Sequence, residues 1–264
     1  AATLKTAVSG KTGKELTANG SSVTVDNLPL GYYFVASTSG ALCNLTTTNP
    51  DVTIHDKNDM PFEKTADQTN VDVGQTVNYT VTGKVPDYTG FNAYTYKVAD
   101  TMSEGLTFKK DVKVTVGGAD VSTACTVAYD ANGNANSFTV TIPVMNYQIG
   151  AEIKVTYSAV VNEKAIAVVS KNNAKLIYSN DPTTGSTNES EPVIVNVYTS
   201  KIVIDKYETG KKTTKLPNAK FVLYKEETPG TPASAVYYKW NDTDKKVEWV
   251  TEMTAATVMT TNAQ

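Results

Sequence analysis

An all-β protein built of tandem antiparallel sandwiches is the architecture this sequence predicts, and three observations predict it. Apolar and polar residues alternate with a period of two. β-Branched and aromatic residues fill the alternating stretches, and the stretches are short and separated by turn signals. The pattern runs through Val77, Tyr79 and Val81, then Val112, Val114 and Val116, then Phe138, Val140 and Ile142. It recurs at Ile153, Val155 and Tyr157 and at Val193, Val195 and Val197. Such alternation marks half-buried strands with one face in a core and the other in water. Gly83, Gly117-Gly118 and Asn132-Gly133 punctuate the strands, and convincing helical periodicity is almost absent. Sandwiches therefore follow rather than α/β units.

A chain of 264 residues has room for two or three β-modules. Two junctions stand out, at Lys57-Asn58-Asp59-Met60-Pro61 and around Val197 to Lys201, each followed by a fresh strand with a lysine at inward parity. Three units are expected: residues 1–58, 59–198 and 199–264. The outer two are short of the roughly 100 residues of a complete sandwich. Residues 1–58 read as the closing strands of one domain and 199–264 as the opening strands of another, so a fragment or proteolytic core is the expectation.

Composition narrows the function. Lys+Arg of 24 against Asp+Glu of 27 gives a net charge of -3 with no basic stripe, which argues against a nucleic-acid partner. No apolar run approaches the roughly 18 residues of a membrane span. The opening Ala-Ala-Thr lacks the charged and apolar regions of a signal peptide, so a soluble, mature or trimmed segment is expected. Cys43 and Cys125 fall in different predicted units, against a disulfide framework. With His55 the single histidine, and no CxxC or HxxxH spacing, neither a zinc site nor a His-based triad can be assembled. The expectation is a non-enzymatic protein without metal or cofactor.

One constellation does carry chemistry. In Phe62-Glu63-Lys64, Lys64 shares the strand face of Phe62, which aims its ammonium at the core. Strand lysines commonly pack their stems and leave the charge in water. Here, however, Asn172 shares a face with Ala174, Leu176 and Tyr178, and Asp100 closes the strand Val98-Ala99-Asp100. A lysine desolvated in an apolar pocket loses its proton and becomes a nucleophile, while an acid kept protonated by that pocket polarises an amide carbonyl. Attack on the asparagine side chain expels ammonia and leaves a Lys-Asn isopeptide bond. Parity selects Asn172 over its neighbour Asn173, although a β-bulge would reverse the choice. Glu63 and Glu163 are the alternative acids.

These residues sit in longer motifs. Glu63-Lys64-Thr65, Val73-Gly74-Gln75-Thr76-Val77-Asn78-Tyr79, Asp100-Thr101-Met102-Ser103-Glu104-Gly105-Leu106-Thr107-Phe108 and Asn172-Asn173-Ala174-Lys175-Leu176-Ile177-Tyr178 together resemble the CnaA-type, immunoglobulin-like domain of Gram-positive backbone pilins. The resemblance implies a bond between Lys64 and Asn172 assisted by Asp100. Ile202 to Glu208 followed by Leu216-Pro217-Asn218-Ala219-Lys220-Phe221-Val222-Leu223 is similar to the start of a CnaB-type domain, which puts Lys206 at that family's bonding position with its partner missing. Leu28-Pro29-Leu30-Gly31-Tyr32-Tyr33 resembles a late turn of pilin N-terminal domains. Lys57-Asn58 then stands where the family carries Tyr-Pro-Lys-Asn, with His55-Asp56 in place of Tyr-Pro, so Lys57 is the implied sortase acceptor.

The resemblance implies tandem immunoglobulin-like sandwiches, a CnaA-type middle domain flanked by partial CnaB-like domains. It implies a structural subunit of a covalently polymerised pilus shaft, extracellular and anchored to the cell wall. The partners implied are identical subunits joined head to tail, a pilus-specific sortase, minor pilins and host surface ligands. An adhesin or a tip or basal pilin of the same architecture is the alternative, and the lack of long loop insertions favours the shaft.

Overall fold

The computed structural model describes residues 12–17, 23–35, 41–53, 60–130, 133–180, 182 and 185–262. Every regular element among them is a strand or a single turn of 3-10 helix, as the period-two alternation requires. Ahead of the middle unit, β1 (Gly31–Val35) and β2 (Ala41–Leu45) form an antiparallel pair.

Twelve strands between residues 63 and 197 make two facing sheets. In chain order they are β3 (Glu63–Ala66), β4 (Thr76–Lys84), β5 (Tyr96–Met102), β6 (Leu106–Phe108), β7 (Lys113–Val116), β8 (Ala119–Asp120), β9 (Thr126–Tyr129), β10 (Ser137–Thr141), β11 (Glu152–Val161), β12 (Ser170–Ser179), β13 (Thr187–Glu189) and β14 (Val193–Val197). One sheet runs β3-β4-β11-β7-β8, with β6 also on β11; the other runs β13-β12-β5-β10-β9, with β14 also on β12. All these pairings are antiparallel, and no α-helix lies among the described residues.

The alternation decides what enters the core. Val77, Tyr79 and Val81 on β4 and Val155, Tyr157 and Ala159 on β11 line one inner face. Val98 and Met102 on β5, Phe138 and Val140 on β10, and Ala174 and Leu176 on β12 line the other. Their burial in one continuous cluster supplies the main driving force for this unit. Polar residues share these inward positions at Asp100 on β5 and at Ser170 and Asn172 on β12. The end of β14 is tied back to the loop after β3 by bonds from Val71 N to Tyr198 O and from Tyr198 N to Thr69 O, so the first and last strands of the unit meet.

After residue 198 the sheets are small: β15 (Tyr207–Glu208) with β16 (Lys211–Lys215), β17 (Lys220–Phe221) with β21 (Met259–Thr260), and β18 (Tyr224–Glu226), β19 (Ala235–Asn241) and β20 (Lys246–Val250) in one three-stranded sheet. The strand expected over Ile202–Ile204 does not form. These residues have no neighbouring strand to bond and leave their side chains exposed. The β19–β20 hairpin is docked on the loop between β3 and β4. Val247 N donates to Val73 O at 2.8 Å, and Trp249 Nε1 donates to Asp72 Oδ2 at 2.8 Å. Gly74, at φ +92, makes the approach possible, because a Cβ there would lie 2.0 Å from the Cβ of Lys246.

Candidate functional site

The site lies in the middle of the sandwich core, and each of its residues is placed by strand register. Lys64 pairs with Val81 across β3 and β4, so its side chain follows the Val81 face inward. Asp100 pairs with Ala174 on one side and Phe138 on the other. Asn172 lies two residues before Ala174 on β12 and therefore points the same way as Asp100. Tyr79 and Tyr157 face each other across β4 and β11, their rings stacked with centroids 5.5 Å apart.

A continuous polar chain links the two sheets. Lys64 Nζ donates to Asp100 Oδ2 at 2.6 Å, and both side chains are 0% exposed. Tyr157 OH donates to the same oxygen at 2.5 Å. Asn172 Nδ2 donates to Tyr157 OH at 3.3 Å, and Asn172 is itself fully buried. The Lys64 ammonium lies 5.5 Å from the Tyr79 ring centroid and 5.7 Å from that of Tyr157, within cation-π range. Two acceptor oxygens in this pocket, Asp100 Oδ1 and Asn172 Oδ1, have no donor.

Burial dominates the electrostatics. Desolvation pushes Lys64 down to about 8, against the opposing charge and hydrogen bond of Asp100. Desolvation likewise raises the Asp100 carboxyl, with Lys64 and Tyr157 resisting. The Tyr157 hydroxyl is held well above its ordinary value by burial and by the neighbouring Asp100 charge. Both members of the pair are thus drawn toward their neutral forms, an amine and a carboxylic acid.

The structure brings Lys64, Asp100 and Asn172 into one pocket. Asn173 is only half-buried and faces away from the core, so no bulge reverses the parity. Glu63 and Glu163 are exposed, which leaves Asp100 as the acid beside Lys64. Lys57 and His55 lie outside the described residues. Lys206 is exposed and precedes β15, lining a shallow groove with Ile202 to Asp205, Leu216 and Phe221. Sequence reasoning passed over Tyr157 and Tyr79 because each sits at an inward position of an alternating strand and reads as packing. The available signal was the hydroxyl, since a buried tyrosine needs a hydrogen-bond partner for its OH. Tyr96 is core, and the Tyr88 hydroxyl donates to Tyr147 O.

Comparison with known proteins gives the family setting. Residues 73–182 match the family described as Gram-positive pilin backbone subunit 2, Cna-B-like domain. Asp100, Tyr157 and Asn172 fall inside the matched stretch, and Lys64 lies just ahead of it. The label is Cna-B-like, where the motifs implied a CnaA-type domain. No curated protein matches the chain by sequence. Among solved structures, the group B streptococcus pilus 2b backbone protein is 27% identical, with 76% of each chain covered and a TM-score of 0.52. A C-terminal fragment of a major pilin of Streptococcus agalactiae is 18% identical, with 70% of this chain and 68% of that one covered at a TM-score of 0.51, a likeness of fold. The middle of this chain, residues 73–182, is thus similar to the Cna-B-like domain of Gram-positive pilin backbone subunits.

Proposed function

We propose that this chain is a structural subunit of a covalently polymerised pilus shaft on a Gram-positive surface, and that its middle unit, residues 59–198, is locked by an autocatalytic isopeptide bond between Lys64 and Asn172. The observation that carries the reading is the solvent-excluded chain Lys64–Asp100–Tyr157–Asn172, three members of which lie in a stretch similar to the pilin backbone family. A lysine and an asparagine with no surface exposure, joined through a raised-pKa acid, have little value as packing, because burying such groups is costly.

The chemistry follows from the protonation states. The neutral Lys64 amine attacks Asn172 Cγ while Asp100, protonated on Oδ1, donates to Asn172 Oδ1 and polarises the carbonyl. That single proton also satisfies both orphan oxygens of the pocket. A C–N bond forms, the Cγ–Nδ2 bond breaks, and ammonia leaves. Folding supplies the proximity, and well-oriented intramolecular reactions reach effective molarities on the order of 10⁵ M or more. The same reading makes Lys57 the amine that accepts the next subunit from a sortase, with identical subunits and minor pilins as partners. Lys206 is the counterpart of Lys64 in the unit that begins at residue 199. Intact mass spectrometry tests the central claim: the folded chain should weigh one ammonia less than its sequence. A full sequence mass, with Lys64 and Asn172 both free in a tryptic digest, overturns it.

A further inference from the structure

Tyr157 is hydrogen-bonded to both the acid and the scissile amide. Its ring is held on three sides, stacked on Tyr79, edge-on to Phe138 at 4.8 Å and edge-on to Phe108 at 6.1 Å, so its hydroxyl has one place to go. A phenol has one proton and two lone pairs. The 2.5 Å bond to Asp100 Oδ2 uses the proton, so Tyr157 meets Asn172 as an acceptor. That turns the amide nitrogen toward Tyr157 and the carbonyl oxygen away from it.

Amide nitrogen leaves as ammonia only if it gains a proton, and Lys64 must lose one. Lys64 delivers to Asp100 Oδ2, but the contact at Asn172 Nδ2 is the Tyr157 hydroxyl. We propose that Tyr157 is a catalytic residue, the proton donor to the departing Asn172 nitrogen, an inference that rests on the Lys64–Asn172 reading above. As the amine attacks and Cγ becomes tetrahedral, Nδ2 gains a free lone pair and the Tyr157 hydroxyl hydrogen turns to it from Asp100 Oδ2; one proton then passes from Nζ to Oδ2, one from Oδ2 to the Tyr157 oxygen, and one from Tyr157 to Nδ2. The Cγ–Nδ2 bond then breaks and ammonia departs. Asp100 and Tyr157 end as they began, and the sum is amine plus amide to amide plus ammonia. Burial keeps Tyr157 a neutral phenol, which suits it to pass a proton instead of standing as a phenolate.

The test refolds the full chain from inclusion bodies in guanidinium and follows ammonia loss by intact mass. Wild type loses one ammonia, and Tyr157→Phe folds to the same circular dichroism while losing it about a hundredfold more slowly or worse, the usual worth of a general acid. Replacing Tyr157 by fluorotyrosine and difluorotyrosine keeps the hydroxyl while changing its acidity, so the rate shifts in a graded way along the series. A Tyr157→Phe rate within threefold of wild type overturns the proposal, as does a flat fluorotyrosine series, which would reduce Tyr157 to holding the amide in place. If Tyr157→Phe does not fold, the fluorinated series decides alone. Wild type that never loses ammonia overturns the isopeptide reading itself, a result distinct from a bond that forms without Tyr157.

Discussion

Lys64 and Asp100 are an ion pair with Nζ and Oδ2 2.6 Å apart and no exposed surface on either side chain. Desolvation at such a position is worth several kcal/mol per ion, and attraction between the partners offsets only part of it. The pair is therefore a strained resting point. Neutralising it by proton transfer, or removing the amine into an amide, relieves the cost.

Replacing the acid separates catalysis from packing. Asp100→Asn keeps the shape of the side chain but has no carboxyl proton to lend, so the domain should fold with Lys64 and Asn172 unlinked. Asp100→Ala should also lack the bond and in addition leave a buried lysine unpaired, a loss of roughly 3 to 5 kcal/mol. Intact mass and melting temperature measured on both variants check this; normal bond formation in Asp100→Asn would assign the role to another group.

The bond should show in stability through the unfolded chain. It closes a loop of about 110 residues, a span over which a covalent link contributes roughly 4 to 5 kcal/mol. Lys64→Ala and Asn172→Ala should each lower the melting temperature by on the order of 10 °C or more. The double variant should be no worse than the more damaging single one, because either change alone removes the link. Equal melting temperatures for wild type and both single variants would show that no such link exists.

Lys64 also sets a pH dependence in the unlinked protein. Its folded pKa of about 8 lies below the 10.5 of an ordinary lysine, so between these values the unfolded chain binds more protons than the folded one. Stability of Asn172→Ala should therefore rise as pH increases from about 8 toward 10.5, by up to about 3 kcal/mol, while the cost is fully present below pH 8. Urea midpoints across this window should show the rise in Asn172→Ala and lose it in Lys64→Met/Asn172→Ala. A midpoint that does not climb would mean that Lys64 is solvated.

The hairpin contact beyond the middle unit depends on Gly74. Gly74→Ala should push β20 off the Asp72–Gly74 loop and break the Val247 N to Val73 O bond. Amide hydrogen exchange at Val247 should quicken while the β11 amide of Val155 stays protected. Unchanged protection at Val247 would show that the contact does not need the glycine.

For polymerisation, Lys57→Arg keeps the charge and removes a competent amine nucleophile. Subunits carrying it should fail to form covalent ladders with a pilus sortase on denaturing gels. Persistent ladders would move the acceptor to another lysine.

Alternation is local, so the sequence by itself determined the strands, the all-β class and the inward aim of Lys64, Asp100 and Asn172. A residue's face depends only on its parity with its neighbours, as Phe62 shows for Lys64 and Ala174 for Asn172. Tertiary structure decided what parity cannot express. Which inward side chains meet depends on the register of one sheet over the other, and that is how Tyr157 comes between Asp100 and Asn172 from the opposite sheet. The strand at Ile202–Ile204 fails for a related reason, since alternation and β-branched residues make a strand only where a neighbour accepts its hydrogen bonds. The meeting of Trp249 with Asp72, 177 residues apart, had no local signal at all, because it is set by how the β19–β20 hairpin comes to rest against one glycine.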